Sequence, residues 1–164
     1  MIRTAKTSDA GLITEIYNHF VENSIFTFDE SPTSTKEMST KILELTSNSY
    51  PFIVYEASDS ILGFAYACPW KLRSAYKHTA ESTIYITPNS LQKGIGSQLY
   101  KELIHQLQKI NTHSILAGIS LPNDISVAFH EKFGFEKVAQ LKEVGFKFNR
   151  WIDVGYWELI LNED

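Results

Sequence analysis

Apolar residues recur along the chain with two periods, and the switches between them predict the order of elements. Residues 2–6 read as a short strand. Leu12, Ile13, Ile16, Tyr17, Phe20 and Val21 share one stripe of a helix over 8–22, behind the capping residues Thr7, Ser8 and Asp9. Residues 24–34 form a loop carrying Ile25, Phe26, Phe28 and Pro32; its two Phe are expected to pack inward, as core or as pocket wall. Ser34 with Glu37 is a capping-box pattern that opens a second helix, running to about Thr46. Residues 51–57 and 61–69 are strands of a hairpin turning at Asp59 and Ser60, and 71–78 are polar and irregular. A strand over 80–86 stops at Pro88 and Asn89. Ile95, Leu99, Leu103, Ile104 and Leu107 then recur at helical spacing over 94–109. Residues 114–119 form another apolar strand. Asn123 caps a helix through Lys132, ended by Gly134. Strands over 135–142 and 151–161 close the chain, joined by a loop with Gly145, Lys147 and Arg150. This order predicts one α/β domain over residues 1–164 with a mixed sheet.

Composition narrows the function classes. A chain of 164 residues with 43% apolar residues can bury a core of its own. A net charge of −4 argues against a nucleic-acid or membrane-surface partner. The single cysteine, Cys68, excludes an internal disulfide and fits a reducing, cytoplasmic setting; bounded by Ala67 and Pro69 in an apolar strand, it is expected to be a buried, inert thiol. The start of the chain is expected to carry no signal peptide, and no apolar run reaches transmembrane length. The five histidines show no metal-ligand spacing, so no metal is expected.

The strand over 80–86 runs into a glycine turn and a helix. Helix N-termini carry unpaired N–H groups and the positive end of the dipole, so Gly94 and Gly96 frame a cradle for a phosphate or pyrophosphate, with Lys93 nearby. Lys93 precedes Gly94, whereas the Walker pattern needs Gly-Lys-Ser/Thr; Leu99 stands where the dinucleotide fingerprint needs a third glycine. An anion cradle of backbone amides remains.

With the element order and this turn in view, the chain resembles the GCN5-related N-acetyltransferases, whose fold is a three-layer domain with a mixed, mostly antiparallel sheet flanked by helices. The resemblance implies acetyl-CoA as co-substrate, its pyrophosphate at Gln92, Lys93, Gly94, Ile95, Gly96 and Ser97, its pantetheine arm along Ile84, Tyr85 and Ile86, and a further contact from Asn123. Gly134-Phe135 matches the family's helix ending. The family pattern Gln/Arg-x-x-Gly-x-Gly/Ala departs at Leu91, which removes a donor or cation and implies weaker CoA binding. Within the family, residues 70–81, 129–135 and 144–153 resemble the phosphinothricin and methionine-sulfoximine acetyltransferases. That match implies acetyl transfer, by direct attack in a ternary complex, to the α-amine of a small acidic amino acid or an analogue of phosphinothricin, methionine sulfoximine or methionine sulfone type, met by Phe28, Lys71, Arg73, Ser74, Ala75 and Tyr76, with catalytic duty for Glu81 and His130, and a homodimer.

The residues carry readings of their own. Acetyl transfer requires the amine to lose its proton, since an α-amino group has a pKa of roughly 8. Glu81, inside an apolar strand on the face opposite Ser82 and Ile84, is either a paired structural charge or a general base at a site mouth. His130, in a short amphipathic helix, is either a satisfied helical residue or, on the resemblance, a proton donor to the leaving thiolate or a substrate contact. Lys71 and Arg73 point the same way in an extended segment, as a solvated face or as readers of an acid. Phe146, Phe148 and Trp151 are apolar enough for an interface or for closing the site. The competing functions are acetylation of some other small amine and a CoA-binding module without turnover; Glu81 together with His130 argues against the silent module.

Overall fold

The computed structural model describes residues 1–91 and 94–161. The elements follow the expected order: β1 (Ile2–Thr4), α1 (Ala10–Asn23), α2 (Thr35–Ser47), β2 (Phe52–Ala57), β3 (Ser60–Pro69), β4 (Thr79–Ile86), α3 (Ile95–Lys109), β5 (Ser114–Leu121), α4 (Asp124–Lys132), β6 (Glu136–Lys147) and β7 (Arg150–Ile160). The strands join in the order β1-β2-β3-β4-β5-β7-β6. This is an α/β fold with a seven-stranded mixed sheet flanked by helices.

The chain forms two compact units. The first holds Met1–Asn18, Thr33–Cys68 and Ser82–Asn111; the second holds His19–Pro32, Pro69–Glu81 and Thr112–Asp164. In the first, β1, β2 and β3 pair antiparallel, with Arg3 opposite Val54 and Val54 opposite Phe64. Residues of opposite parity on β4 meet different helices. Ser82 shares a buried 2.7 Å hydrogen bond with Tyr100 of α3, whereas the Tyr85 ring stands edge-on to Tyr17 of α1 at 5.4 Å. Alternation along a strand sends neighbours to opposite faces, so α1 and α3 cover the two sides and the unit has three layers. Ile13, Ile42, Phe52, Phe64, Leu99 and Leu103 are fully buried there. The Ser34–Glu37 capping box opens α2 as the sequence predicts. The α1 stripe is narrower than predicted: Leu12, at its edge, is 40% exposed. Cys68 is half-buried rather than buried.

In the second unit the first residues of β4 run parallel to β5, with Ala80 opposite Ile115. β5 pairs antiparallel with β7, and β7 with β6. The closing hairpin corrects the sequence reading. Gly145 and Lys147 belong to β6 and Arg150 to β7, leaving Phe148 and Asn149 as the turn, both with positive φ (52° and 56°). Gly145 does not break the strand; it follows a register irregularity between Leu141 and Gly145 and gives room to a ring described below.

Candidate active site

Strand β4 carries Glu81 in the second unit and Ile84, Tyr85 and Ile86 in the first. In the second unit Glu81 is half-buried beside Gly118 of β5. A Cβ on Gly118 would lie 3.3 Å from Glu81 Oε1 and 3.3 Å from the Tyr156 ring, so Gly118 leaves the gap that both side chains flank. Tyr156 stands directly across from Gly118 on β7. Burial raises the Glu81 pKa above the ordinary carboxylate value, and the Lys71 charge pulls it back. Burial and the Glu81 carboxylate both raise the Tyr156 phenol pKa, which keeps that group protonated at neutral pH.

The segment between β3 and β4 is pinched at its base, where Trp70 N donates to Thr79 O at 3.3 Å. Within it Lys71 Nζ stands 5.1 Å from the Trp70 ring centroid, and Tyr76 meets Trp70 edge-on at 5.2 Å. Ser74, Ala75 and Tyr76 form a 3-10 turn entered from Arg73, and Lys71, Arg73, Ser74, Ala75 and Tyr76 are all exposed. Lys71 therefore faces both the Glu81 field and solvent. Phe28 and Phe26, expected to pack inward, are 39% and 44% exposed; Phe28 nonetheless rests its ring over Gly145.

His130 is only 5% exposed, with its ring against Phe129 and Phe135. Its Nδ1 lies 2.7 Å from the Ser126 carbonyl, which can only accept, so Nδ1 carries the hydrogen and Nε2 the lone pair. Burial lowers its pKa, so the ring is neutral at neutral pH. The neighbouring Glu131 accepts a 3.2 Å hydrogen bond from Trp157, whose strand position points to the face opposite Tyr156. The structure thus groups Glu81 with Tyr156 and sets α4, with His130, against the other face of β5 and β7.

Asn123 is the N-cap of α4, its Oδ1 accepting from Ser126 N at 3.2 Å. In the first unit Gly94 is the N-cap of α3 with φ 77°, a left-handed conformation that suits glycine. Intrahelical bonding begins with Gln98 N donating to Gly94 O, so the N–H groups of Ile95, Gly96 and Ser97 stand ahead of the ladder. Ile95 is buried, and Gly96 and Ser97 are half-buried. Gln92 and Lys93, expected in the same cradle, lie outside the described residues. Two buried hydroxyls, Thr87 Oγ1 beyond β4 and Ser120 Oγ near the end of β5, have no hydrogen-bond partner among the described residues.

Sequence reasoning missed Tyr156. Strand period predicts which face it takes, but its neighbourhood with Glu81 depends on two long-range registers that period does not encode.

Known proteins share the sequence and the fold of this chain. Residues 2–155 match the family model described as an acetyltransferase (GNAT) domain. The chain is 38% identical over 157 residues to the phosphinothricin N-acetyltransferase of Streptomyces viridochromogenes, covering 96% of this chain and 85% of that protein. It is 32% identical to the L-methionine sulfoximine/L-methionine sulfone acetyltransferase of Salmonella typhimurium, covering 99% and 95%. Its fold superposes with a TM-score of 0.94 on a GNAT superfamily phosphinothricin acetyltransferase of Sinorhizobium meliloti in complex with AcCoA, at 34% identity over 98% of this chain and 88% of that one.

Proposed function

Because the chain belongs to the GNAT acetyltransferase family, we propose that it transfers acetyl from acetyl-CoA to the α-amine of a small acidic amino acid or a phosphinothricin, methionine sulfone or methionine sulfoximine type analogue, by direct attack of the amine. The observation that carries this reading is Glu81, a half-buried carboxylate with a raised pKa flanking the Gly118 gap beside a protonated phenol. The lone cysteine supports action in a reducing, cytoplasmic setting.

Acetyl-CoA, as co-substrate, supplies the activated acetyl group. The amides of Ile95, Gly96 and Ser97, which stand ahead of the helical ladder, would hold its pyrophosphate, with Gly94 shaping the turn and Gln92 and Lys93 belonging to the same set by sequence. Backbone groups of Ile84, Tyr85 and Ile86 would bond the pantetheine arm, and Asn123 would add a contact from the start of α4.

Glu81 would take the proton from the substrate ammonium, which frees the nitrogen lone pair for attack. Its raised pKa makes it a stronger base than a surface carboxylate, and such a base is worth roughly 10²–10⁴ in rate. Tyr156 would present a protonated phenol beside it. His130, neutral with Nδ1–H on the Ser126 carbonyl and set against the face of β5 and β7 away from Glu81, would neither protonate the thiolate nor meet the amine beside Glu81.

Arg73 and Lys71, with the Ser74–Tyr76 turn and Phe28, would meet the substrate's acidic tail and head. Arg73→Ala is expected to raise KM at least about tenfold for an acidic amino acid but little for a neutral amine, because only the former gains a charge-assisted bond. Equal rises for both, in steady-state assays, would remove Arg73 from substrate recognition.

A homodimer is part of the same proposal. Val144, Phe146, Phe148 and Trp151 of the closing hairpin are 50–62% exposed. The Phe146 and Trp151 rings meet across the strands at 4.8 Å, tilted by 57°, so they form one apolar surface rather than scattered residues. Light scattering at micromolar concentration should give twice the chain mass, and Trp151→Glu should shift it toward the monomer; a parent that is monomeric throughout contradicts the pairing.

A further inference from the structure

Loop 24–32 is held by β6 through two neighbouring positions. Alternation puts Gly145 and Lys147 on one face of the strand and Phe146 on the other; the first two are buried and Phe146 is 50% exposed. A Cβ on Gly145 would collide with the Phe28 ring, so the absent side chain is the space the ring occupies. Two residues on, the Lys147 ammonium donates to the carbonyls of Ser24 and Thr27, each at 2.9 Å. The loop's hydroxyls are engaged locally, Ser24 Oγ accepting from Phe26 N and Thr27 Oγ1 from Asp29 N. Asp29 and Glu30 add attraction from further off.

A lysine only 4% exposed is an expensive way to cover a loop, since burying an ammonium costs desolvation and rotamer freedom. Methionine would fill similar space without the desolvation cost. What Met lacks is N–H donors for two carbonyls three residues apart. We propose that Lys147 is a positioning residue: its ammonium fixes the Ser24 and Thr27 carbonyls and so holds Phe28 on Gly145 as a wall against the amine substrate. The pinning stands on the contacts above; the wall rests on the proposed substrate role of Phe28.

The test uses the full chain as Lys147→Met and, with a side-chain donor retained, Lys147→Gln. Amide hydrogen exchange across 24–30 should quicken about tenfold in Lys147→Met, less in Lys147→Gln, with α3 exchanging at the parent rate. With methionine sulfone as probe, KM for the amine should rise about tenfold in Lys147→Met, while kcat and KM for acetyl-CoA stay within about twofold. In a Phe28→Ala background Lys147→Met should add little further, because both changes remove one wall. Unchanged exchange in both variants overturns the pinning. Quickened exchange with a fall in kcat and no KM split, or additive effects with Phe28→Ala, overturns the role in substrate positioning. A parent protein that acetylates no amine at all fails the proposed function and the wall, while the exchange result alone decides the pinning.

Discussion

Glu81→Gln is expected to lower kcat about 10²-fold or more at neutral pH, with acetyl-CoA affinity little changed. Gln keeps the shape and one acceptor but cannot take a proton. The pH dependence separates this from a structural loss. With Glu81 as the proposed base, activity of the parent requires the carboxylate ionised, so it should fall as pH drops through the Glu81 pKa. Burial places that limb above the ordinary carboxylate range, despite the opposing pull of Lys71. The Gln variant should lack this limb. At high pH the amine, with a pKa of roughly 8, is already neutral, and the variant should regain part of its loss. A deficit that is flat across pH would assign base catalysis to another group or to solvent.

Gly96→Val is the second large effect, and it acts on the other substrate. Gly96 is the second residue of α3, ahead of the first intrahelical bond at Gln98 N. A β-branched side chain there would stand where the pyrophosphate must approach the amides. Losing one or two charge-assisted hydrogen bonds should raise the Kd for acetyl-CoA by about 10–10³-fold. The helix should survive, because Val has a better helix propensity than Gly. Calorimetry with acetyl-CoA, beside a melting curve that matches the parent, reads this directly. Unchanged affinity would move the cofactor elsewhere.

The elements whose signals are local were legible in the sequence. Ser34 with Glu37, and Asn123 before α4, are side-chain-to-backbone caps written within four residues, and both form as predicted. The parity of Glu81 against Ser82 follows from strand period alone, and Ser82 bonds Tyr100 of α3. The closing hairpin was misread because Phe148 adopts positive φ, which its type does not announce, while Gly145 looked like a breaker. Its true role, room for the Phe28 ring, lies more than a hundred residues away along the chain. Separation along the chain also hides Lys147 under loop 24–32 and Tyr156 beside Glu81. His130 shows the limit in another way: helical spacing gave its element, but its burial and tautomer come from Phe135 and the Ser126 carbonyl.

The central claim is that this chain acetylates the α-amine of an acidic amino acid or its tetrahedral analogue. The most direct measurement incubates purified protein with acetyl-CoA and, separately, phosphinothricin, methionine sulfone, methionine sulfoximine, glutamate and a set of neutral amines. Free thiol is followed with time and the products are identified by mass spectrometry. The expected result is thiol release that depends on both protein and amine, with one acetyl group gained on the α-nitrogen and the highest kcat/KM among the acidic amino acid and its analogues. Thiol release and acetylation with neutral amines alone, or no amine-dependent release from a protein that binds acetyl-CoA, would contradict it.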